Sequence, residues 1–159
     1  MRDNIKILVM DVDGTLTDGK IYMGESGELF KAFDVKDGYA IKLMLPEHNI
    51  LPVIITARRS KILENRCKEM EVSHLYQGCL NKLDKLNEIL KELSCGYESC
   101  AYIGDDLLDL QCMEPIKQAG GIVGAPADAV KKVKELADFV TACPAGNGAV
   151  REFIEYLIQ

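Results

Sequence analysis

Asp11 and Asp13 stand either side of a single valine at the end of the apolar run "NIKILVMDVDGTLTDG" (4–19). A second acidic group, Asp105, Asp106 and Asp109, closes the run "AYIGDDLLD" (101–109). Carboxylates this close repel one another unless something holds them, such as a metal ion, phosphate chemistry or a solvated turn. Hard oxygen ligands at two chain positions suit magnesium, which takes one or two carboxylates together with waters and a substrate phosphate. Calcium is tested by the EF-hand spacing. Counted from Asp11, the sixth position is Leu16 instead of glycine and the twelfth is Tyr22 instead of glutamate, so that reading fails.

Cations accompany the acids. Lys36, Arg58 and Lys82 each precede or open an expected helix. A helix N-terminus carries partial positive charge and favours Asp or Glu by about 0.3–1 kcal/mol, so cations there suggest an anion among them. No serine–histidine or cysteine–histidine pairing is recognisable, and His48 and His74 read as structural. Phosphoryl transfer asks mainly for charge neutralisation and positioning. An aspartate can attack as nucleophile, and a carboxylate two residues away can protonate the leaving oxygen and then activate water.

The elements that must position these groups alternate regularly. Expected strands are 5–10, 51–56, 74–78, 100–105, 119–124 and 137–141, most of them continuously apolar, as strands covered on both faces are. Expected helices lie near 37–45, 60–70, 81–93, 106–114, 128–136 and 147–158, with Pro46 expected to end the first. In the third, Leu83, Leu86, Ile89, Leu90 and Leu93 recur every three or four residues and make one apolar face. The alternation predicts an α/β fold with a doubly wound parallel sheet, Rossmann-like. Residues 19–33 interrupt it with β-forming residues around "GESGE", a hairpin directly after the first strand. Ligands of such sheets bind beyond the carboxyl ends of the strands, where Asp11 and Asp13, Thr56, Gln77 and Gly78, and Asp105 and Asp106 fall.

A chain of 159 residues fits one domain, 1–159. It is 48% hydrophobic and 28% charged, with no apolar run of membrane-spanning length and no signal-peptide pattern, so a cytoplasmic protein without a membrane partner is expected. A formal charge of −6 argues against nucleic acid. The six cysteines (67, 79, 95, 100, 112 and 143) show neither a CxxC pair nor zinc spacing and read as free thiols.

"DVDGT" (11–15), the strand ending in Thr56, Lys82 near a helix start and "GDDLLD" (104–109), in that order, resemble the haloacid dehalogenase superfamily of phosphatases. The chain is similar along nearly its whole length to one branch, the 3-deoxy-D-manno-octulosonate 8-phosphate (KDO 8-phosphate) phosphatases. The matching segments are "DGKIYMGESGELFKAFDVKDGYAI", "IITARRSKILENRC", "HLYQGCLNK", "AYIGDDLLD", "PADA" and "GNGAVRE". The resemblance implies a phosphatase without a cap domain, typically a homotetramer, acting with Mg2+ on a small acidic sugar phosphate. It implies Asp11 as nucleophile and metal ligand, Asp13 as acid/base and metal ligand through its carbonyl, and Asp105 as the remaining metal ligand, supported by Asp106 and Asp109. Thr56 and Lys82 would hold the phosphoryl group. Asp13, Lys82, Arg58, Arg66, Lys42 and the loop Asp34, Val35, Lys36, Asp37 and Gly38 would meet the substrate.

Three other functions compete. A KDN or N-acylneuraminate 9-phosphate phosphatase is the nearest, although relatives of that kind can carry glutamate where Arg58 stands. A phospho-accepting receiver domain needs its aspartate where this chain has Thr56. A non-catalytic oligomerisation domain would have no use for both aspartates, Lys82 and Asp105 together.

Overall fold

The strands Ile7–Met10 (β1), Leu51–Ile55 (β4), His74–Tyr76 (β5), Cys100–Ile103 (β6), Ile122–Ala125 (β7) and Phe139–Val140 (β8) form one sheet in the order β5-β4-β1-β6-β7-β8. Every pairing within it is parallel. The computed structural model describes residues 4–159. Each strand is shorter than the expected run: β4, β5 and β6 lose residues at the carboxyl end, β1 and β7 at the amino end, and β8 at both.

The continuous hydrophobicity of the strands has the expected cause, since helices cover both faces. Leu8, Met10, Ile54, Ala101 and Ile103 pack with Ile41, Leu63 and Cys67 and with Phe153, Ile154 and Leu157. Ile7, Val9, Val53, Ile55 and Tyr102 face the other way, onto Leu86, Ile89, Leu90, Cys112, Met113 and Ile116. Neighbouring strand residues thus serve opposite cores, as the twofold period of a strand requires.

The helices are α1 (Val35–Tyr39), α2 (Leu45–Glu47), α3 (Lys61–Glu69), α4 (Lys82–Leu93), α5 (Leu110–Gln118), α6 (Lys131–Leu136) and α7 (Ala149–Ile158). Pro46 does not end the first helical segment, contrary to expectation. A π-helical stretch, Ala40–Met44, joins α1 to α2, and the Leu45 N–H donates back to the Ala40 carbonyl, one residue beyond the α spacing. Pro46 therefore falls in the first turn of α2, where its missing N–H costs least. The segments expected from 106 and 128 become helical only at Leu110 and Lys131, because Asp106 caps a short 3-10 turn and the Ala129 N–H closes a turn on Pro126.

Tyr22–Gly24 (β2) and Gly27–Phe30 (β3) form the antiparallel hairpin. It stands apart from the main sheet, and a bridge between Thr17 and Phe33 ties its base together. All six cysteines are free, and no helix among the described residues is long and apolar enough to cross a membrane.

Candidate active site

β1 lies between β4 and β6, where the strand order reverses and the loops after neighbouring strands part to leave a crevice. A cavity of about 180 Å3 opens there, lined by Asp11, Asp13, Thr56, Ala57, Arg58, Lys82, Asp105, Asp106, Leu108 and Asp109. Groups from β1, β4, β6 and the start of α4 thus converge, whereas Gln77 and Gly78 after β5 do not line the cavity, the Gln77 amide instead accepting from the Ser60 N–H and donating to Glu64.

Residues 12–17 turn tightly, with the N–H groups of Thr15, Leu16 and Thr17 all directed at the Val12 carbonyl. The Thr17 hydroxyl accepts from the Gly14 and Gly19 N–H groups and holds the turn from inside. Gly14 has φ +91°, and a Cβ there would stand 2.1 Å from an Asp105 carboxylate oxygen. Glycine at this place in "DVDGT" therefore lets the first acidic loop lie directly against the second.

Lys82 is 1% exposed, and its ammonium donates to Asp11 Oδ1 at 2.7 Å and to Asp109 Oδ1 at 2.8 Å. Asp109 Oδ1 also accepts from the Tyr102 hydroxyl at 2.7 Å, while its Oδ2 accepts from the N–H groups of Asp105 and Asp106. Four donors saturate Asp109, so its role is to fix Lys82 and the 105–106 loop. Asp106 spends its side chain capping the turn at Leu107.

Asp105 is less satisfied. Thr15 Oγ1 lies 3.4 Å from Asp105 Oδ1, and the other close neighbour of this carboxylate is Asp11, itself an acid. Burial, then the charges of Asp11 and Asp109, push the Asp105 carboxyl up to about 8. Burial and Asp109 push Asp11 up to about 6 against the pull of Lys82. Burial works against the Lys82 cation, but Asp11 and Asp109 outweigh it and raise its pKa.

Carboxylate oxygens of Asp11, Asp105 and Asp109 lie within 4.8 Å of one another. Three crowded acids against one lysine fit a divalent cation, whose charge hard oxygen donors would balance. Because Asp109 is saturated, Asp11 and Asp105 are the carboxylates free to hold it.

The remaining expected site residues divide. Arg58 lines the cavity, with its guanidinium 3.6 Å from Asp13 and 3.4 Å from Glu28. Arg58 precedes Ser60, the N-cap of α3, and Lys82 is the first residue of α4, so both cations do stand at helix starts, each beside carboxylates. Lys36 also stands at a helix start, in the first turn of α1, but does not line the cavity; its side chain is 63% exposed and lies 3.7 Å from Asp34. Asp34 caps α1. Asp37 accepts from the Arg151 N–H at 2.8 Å, capping α7 from outside, since the N-cap Gly148 has no side chain to do so. Val35, Gly38, Lys42 and Arg66 line a separate groove of about 220 Å3 on α1 and α3. Lys42 there donates to the Glu69 carbonyl and pairs with Glu71.

Sequence reasoning missed Lys31, Glu28 and Tyr102. Lys31 Nζ donates to Asp13 Oδ1 at 2.7 Å, which only the hairpin's fold-back reveals. Tyr102 did leave a signal, because a tyrosine in an otherwise aliphatic buried strand needs a partner for its hydroxyl.

No protein-family model matches the chain. It is similar to the 3-deoxy-D-manno-octulosonate 8-phosphate phosphatase KdsC of Salmonella typhi, 46% identical over 156 residues that cover 98% of this chain and 80% of the relative. A crystal structure of the 3-deoxy-D-manno-octulosonate 8-phosphate phosphatase from Yersinia pestis matches with TM-score 0.92 and 44% identity, covering 99% of this chain and 82% of that one. The phosphatase of the same name from Moraxella catarrhalis, solved in complex with a magnesium ion, a phosphate ion and a KDO molecule, matches with TM-score 0.90 and 37% identity, covering 99% of this chain and 87% of that one. With this likeness over nearly its whole length, the chain belongs to the KDO 8-phosphate phosphatase family, phosphoric monoester hydrolases of the haloacid dehalogenase superfamily.

Proposed function

We propose that this protein, acting in the cytoplasm as a single capless domain, hydrolyses KDO 8-phosphate to KDO and phosphate with Mg2+, through an aspartyl-phosphate on Asp11. The observation that carries this reading is the placement of Asp11. Its carboxylate ends the central strand, held at 2.7 Å by a buried lysine and crowded by Asp105.

In the first step an Asp11 carboxylate oxygen attacks phosphorus while the bond to the sugar oxygen breaks and Asp13 gives that oxygen a proton. In the second, Asp13 takes a proton from water as the water attacks phosphorus, the bond to Asp11 breaks, and phosphate leaves. An ammonium carries three donors, of which Lys82 spends two on Asp11 and Asp109; the third, with the Thr56 hydroxyl, would hold a phosphoryl oxygen. Asp11, Asp105 and the Asp13 carbonyl would hold magnesium, whose charge would offset that of phosphate and carboxylates.

Arg58 borders the cavity and would meet the acid sugar. None of the loop 34–38, Lys42 and Arg66 lines this cavity, so they would face the sugar from a neighbouring copy. A homotetramer fits this division, and the exposed apolar residues Met23, Leu29 and Phe30 of the hairpin offer a surface for it. Free KDO would feed lipopolysaccharide synthesis.

Phosphate release with magnesium, comparing KDO 8-phosphate and KDN 9-phosphate at equal concentration, tests the substrate. A preference of at least about tenfold for the former, worth ~1.4 kcal/mol of barrier, is expected. The reverse preference would keep the mechanism and move the substrate to the nonulosonates. No release from either, with chelator and magnesium alike, would leave a non-catalytic assembly domain.

A further inference from the structure

Asp13 meets two cations at the same oxygen. Lys31 donates to Oδ1 at 2.7 Å, and Arg58 stands 3.6 Å from it. The two are unlike in setting. The Arg58 side chain is 41% exposed and free to turn toward a bound anion, whereas the Lys31 side chain is 3% exposed. Lys31 is also held from behind, by Glu28 Oε2 at 3.1 Å. Glu28 Oε1 accepts from the Ser60 hydroxyl at 2.6 Å, and Ser60 caps α3. A chain of short polar contacts therefore runs from the start of α3 through the hairpin to Asp13. Asp13 Oδ2 makes no hydrogen bond among the described residues.

The geometry points to Lys31 as a positioning residue for the reaction: it anchors Asp13 Oδ1 from the hairpin, so that Oδ2 is the oxygen that exchanges protons with the leaving group and with water, and Glu28 braces it. The inference rests on Asp13 being the acid/base of the proposed reaction. A proton-transfer group must sit within hydrogen-bond reach of its target, and a carboxylate at the end of a flexible side chain loses rate when its rotamer is free. Burial gives Lys31 this role over substrate binding, because its ammonium is committed to two carboxylates and shielded from the cavity.

The test is a double-mutant cycle on the full chain with magnesium and KDO 8-phosphate, using Lys31→Met and Asp13→Asn. Lys31→Met alone should lower kcat by about tenfold or more while KM stays within about twofold, the pattern of a loss confined to the transition state. In the Asp13→Asn background the same change should cost nothing further, since the group it positions is gone. Losses that multiply, or a rise in KM with kcat intact, would overturn the inference and leave the reaction scheme standing. An Asp13→Asn variant as fast as wild type would remove the acid/base assignment and this inference with it. Glu28→Gln keeps a bond to Ser60 and weakens the brace; it also weakens the Arg58 contact at 3.4 Å, whose effect falls on KM, so kcat is the readout. It should give a smaller kcat loss with the same non-additivity, and it carries the cycle if Lys31→Met does not fold.

Discussion

At the carboxyl end of β1, Lys82 is enclosed with Asp11 and Asp109 within 2.8 Å. In the separate groove of α1 and α3, Lys42 is 39% exposed and pairs with a Glu71 that is more exposed still. Both regions collect charge in a net acidic chain, but they hold it differently. In the first, the central charges are fixed, Lys82 by two carboxylates and Asp109 by four donors, as a reacting centre requires when its atoms must not rearrange during the step. In the second, the pairs are screened by water and exchange partners cheaply, as suits a surface that meets a substrate or another subunit. On the proposed assignment, the groove would serve recognition with mobile charges and the cavity would serve chemistry with fixed ones.

The comparison breaks most readily at Asp11. Asp11→Asn should abolish turnover, by about a thousandfold or more in kcat, while circular dichroism reports an intact fold. Wild-type rates would remove the nucleophile assignment. Lys82→Met comes next and should harm both activity and stability. It leaves Asp11 and Asp109 together in the interior without their cation, and removing one partner of a buried pair typically costs ~3–5 kcal/mol. Denaturant unfolding would measure this, and a variant as stable as wild type would show that the ion pair is expendable to the fold.

Metal should act on the same region. Adding magnesium should raise the melting temperature, by an amount equivalent to about 2.7 kcal/mol at a hundred times Kd, and chelation should reverse the gain. Asp105→Asn should lose the response, whereas Lys42→Ala should keep it.

Asp37 provides a pH test between the two regions. Burial raises its carboxyl from 3.8 to about 6, against the pull of the Arg151 N–H. The folded protein therefore keeps a proton that the unfolded chain releases. The resulting stabilisation is complete below the unfolded pKa and is lost as pH rises through about 6. The shift corresponds to about 3 kcal/mol. Asp37→Asn keeps an oxygen for the Arg151 N–H and should flatten stability between pH 4 and 6 relative to wild type. An unchanged slope would show that the group does not titrate in this window.

The smallest effect is expected in the groove. Lys42→Ala should leave thermal stability nearly unchanged and raise KM several-fold with little change in kcat. Unchanged KM would detach this groove from the substrate site.

Much of this arrangement is legible in local sequence because local rules decide it. Continuous apolar runs can be satisfied only by strands covered on both faces, and the leucine period of α4 can bury only one face. "DVDGT" and "GDDLLD" follow such runs directly, so strand direction alone sends their carboxylates to one edge. The glycine of "DVDGT" is likewise a local necessity, forced by a positive φ and by the nearness of Asp105. Tertiary structure decided the rest, because those outcomes depend on distances between segments far apart in the chain. Asp109 looks like one more acid of a cluster until Lys82, Tyr102 and two backbone N–H groups use all its oxygens. Lys31 looks like a solvated hairpin lysine until the fold-back places it on Asp13. Pro46 looks like a helix stop until a π turn places it where no hydrogen bond is lost. Lys36, Lys42 and Arg66 carry the same charge as Lys82, but α1, the π-helical stretch after it and α3 place them outside the cavity. Spacing along the chain sets which face a residue occupies; only the packing of remote segments sets which charges meet.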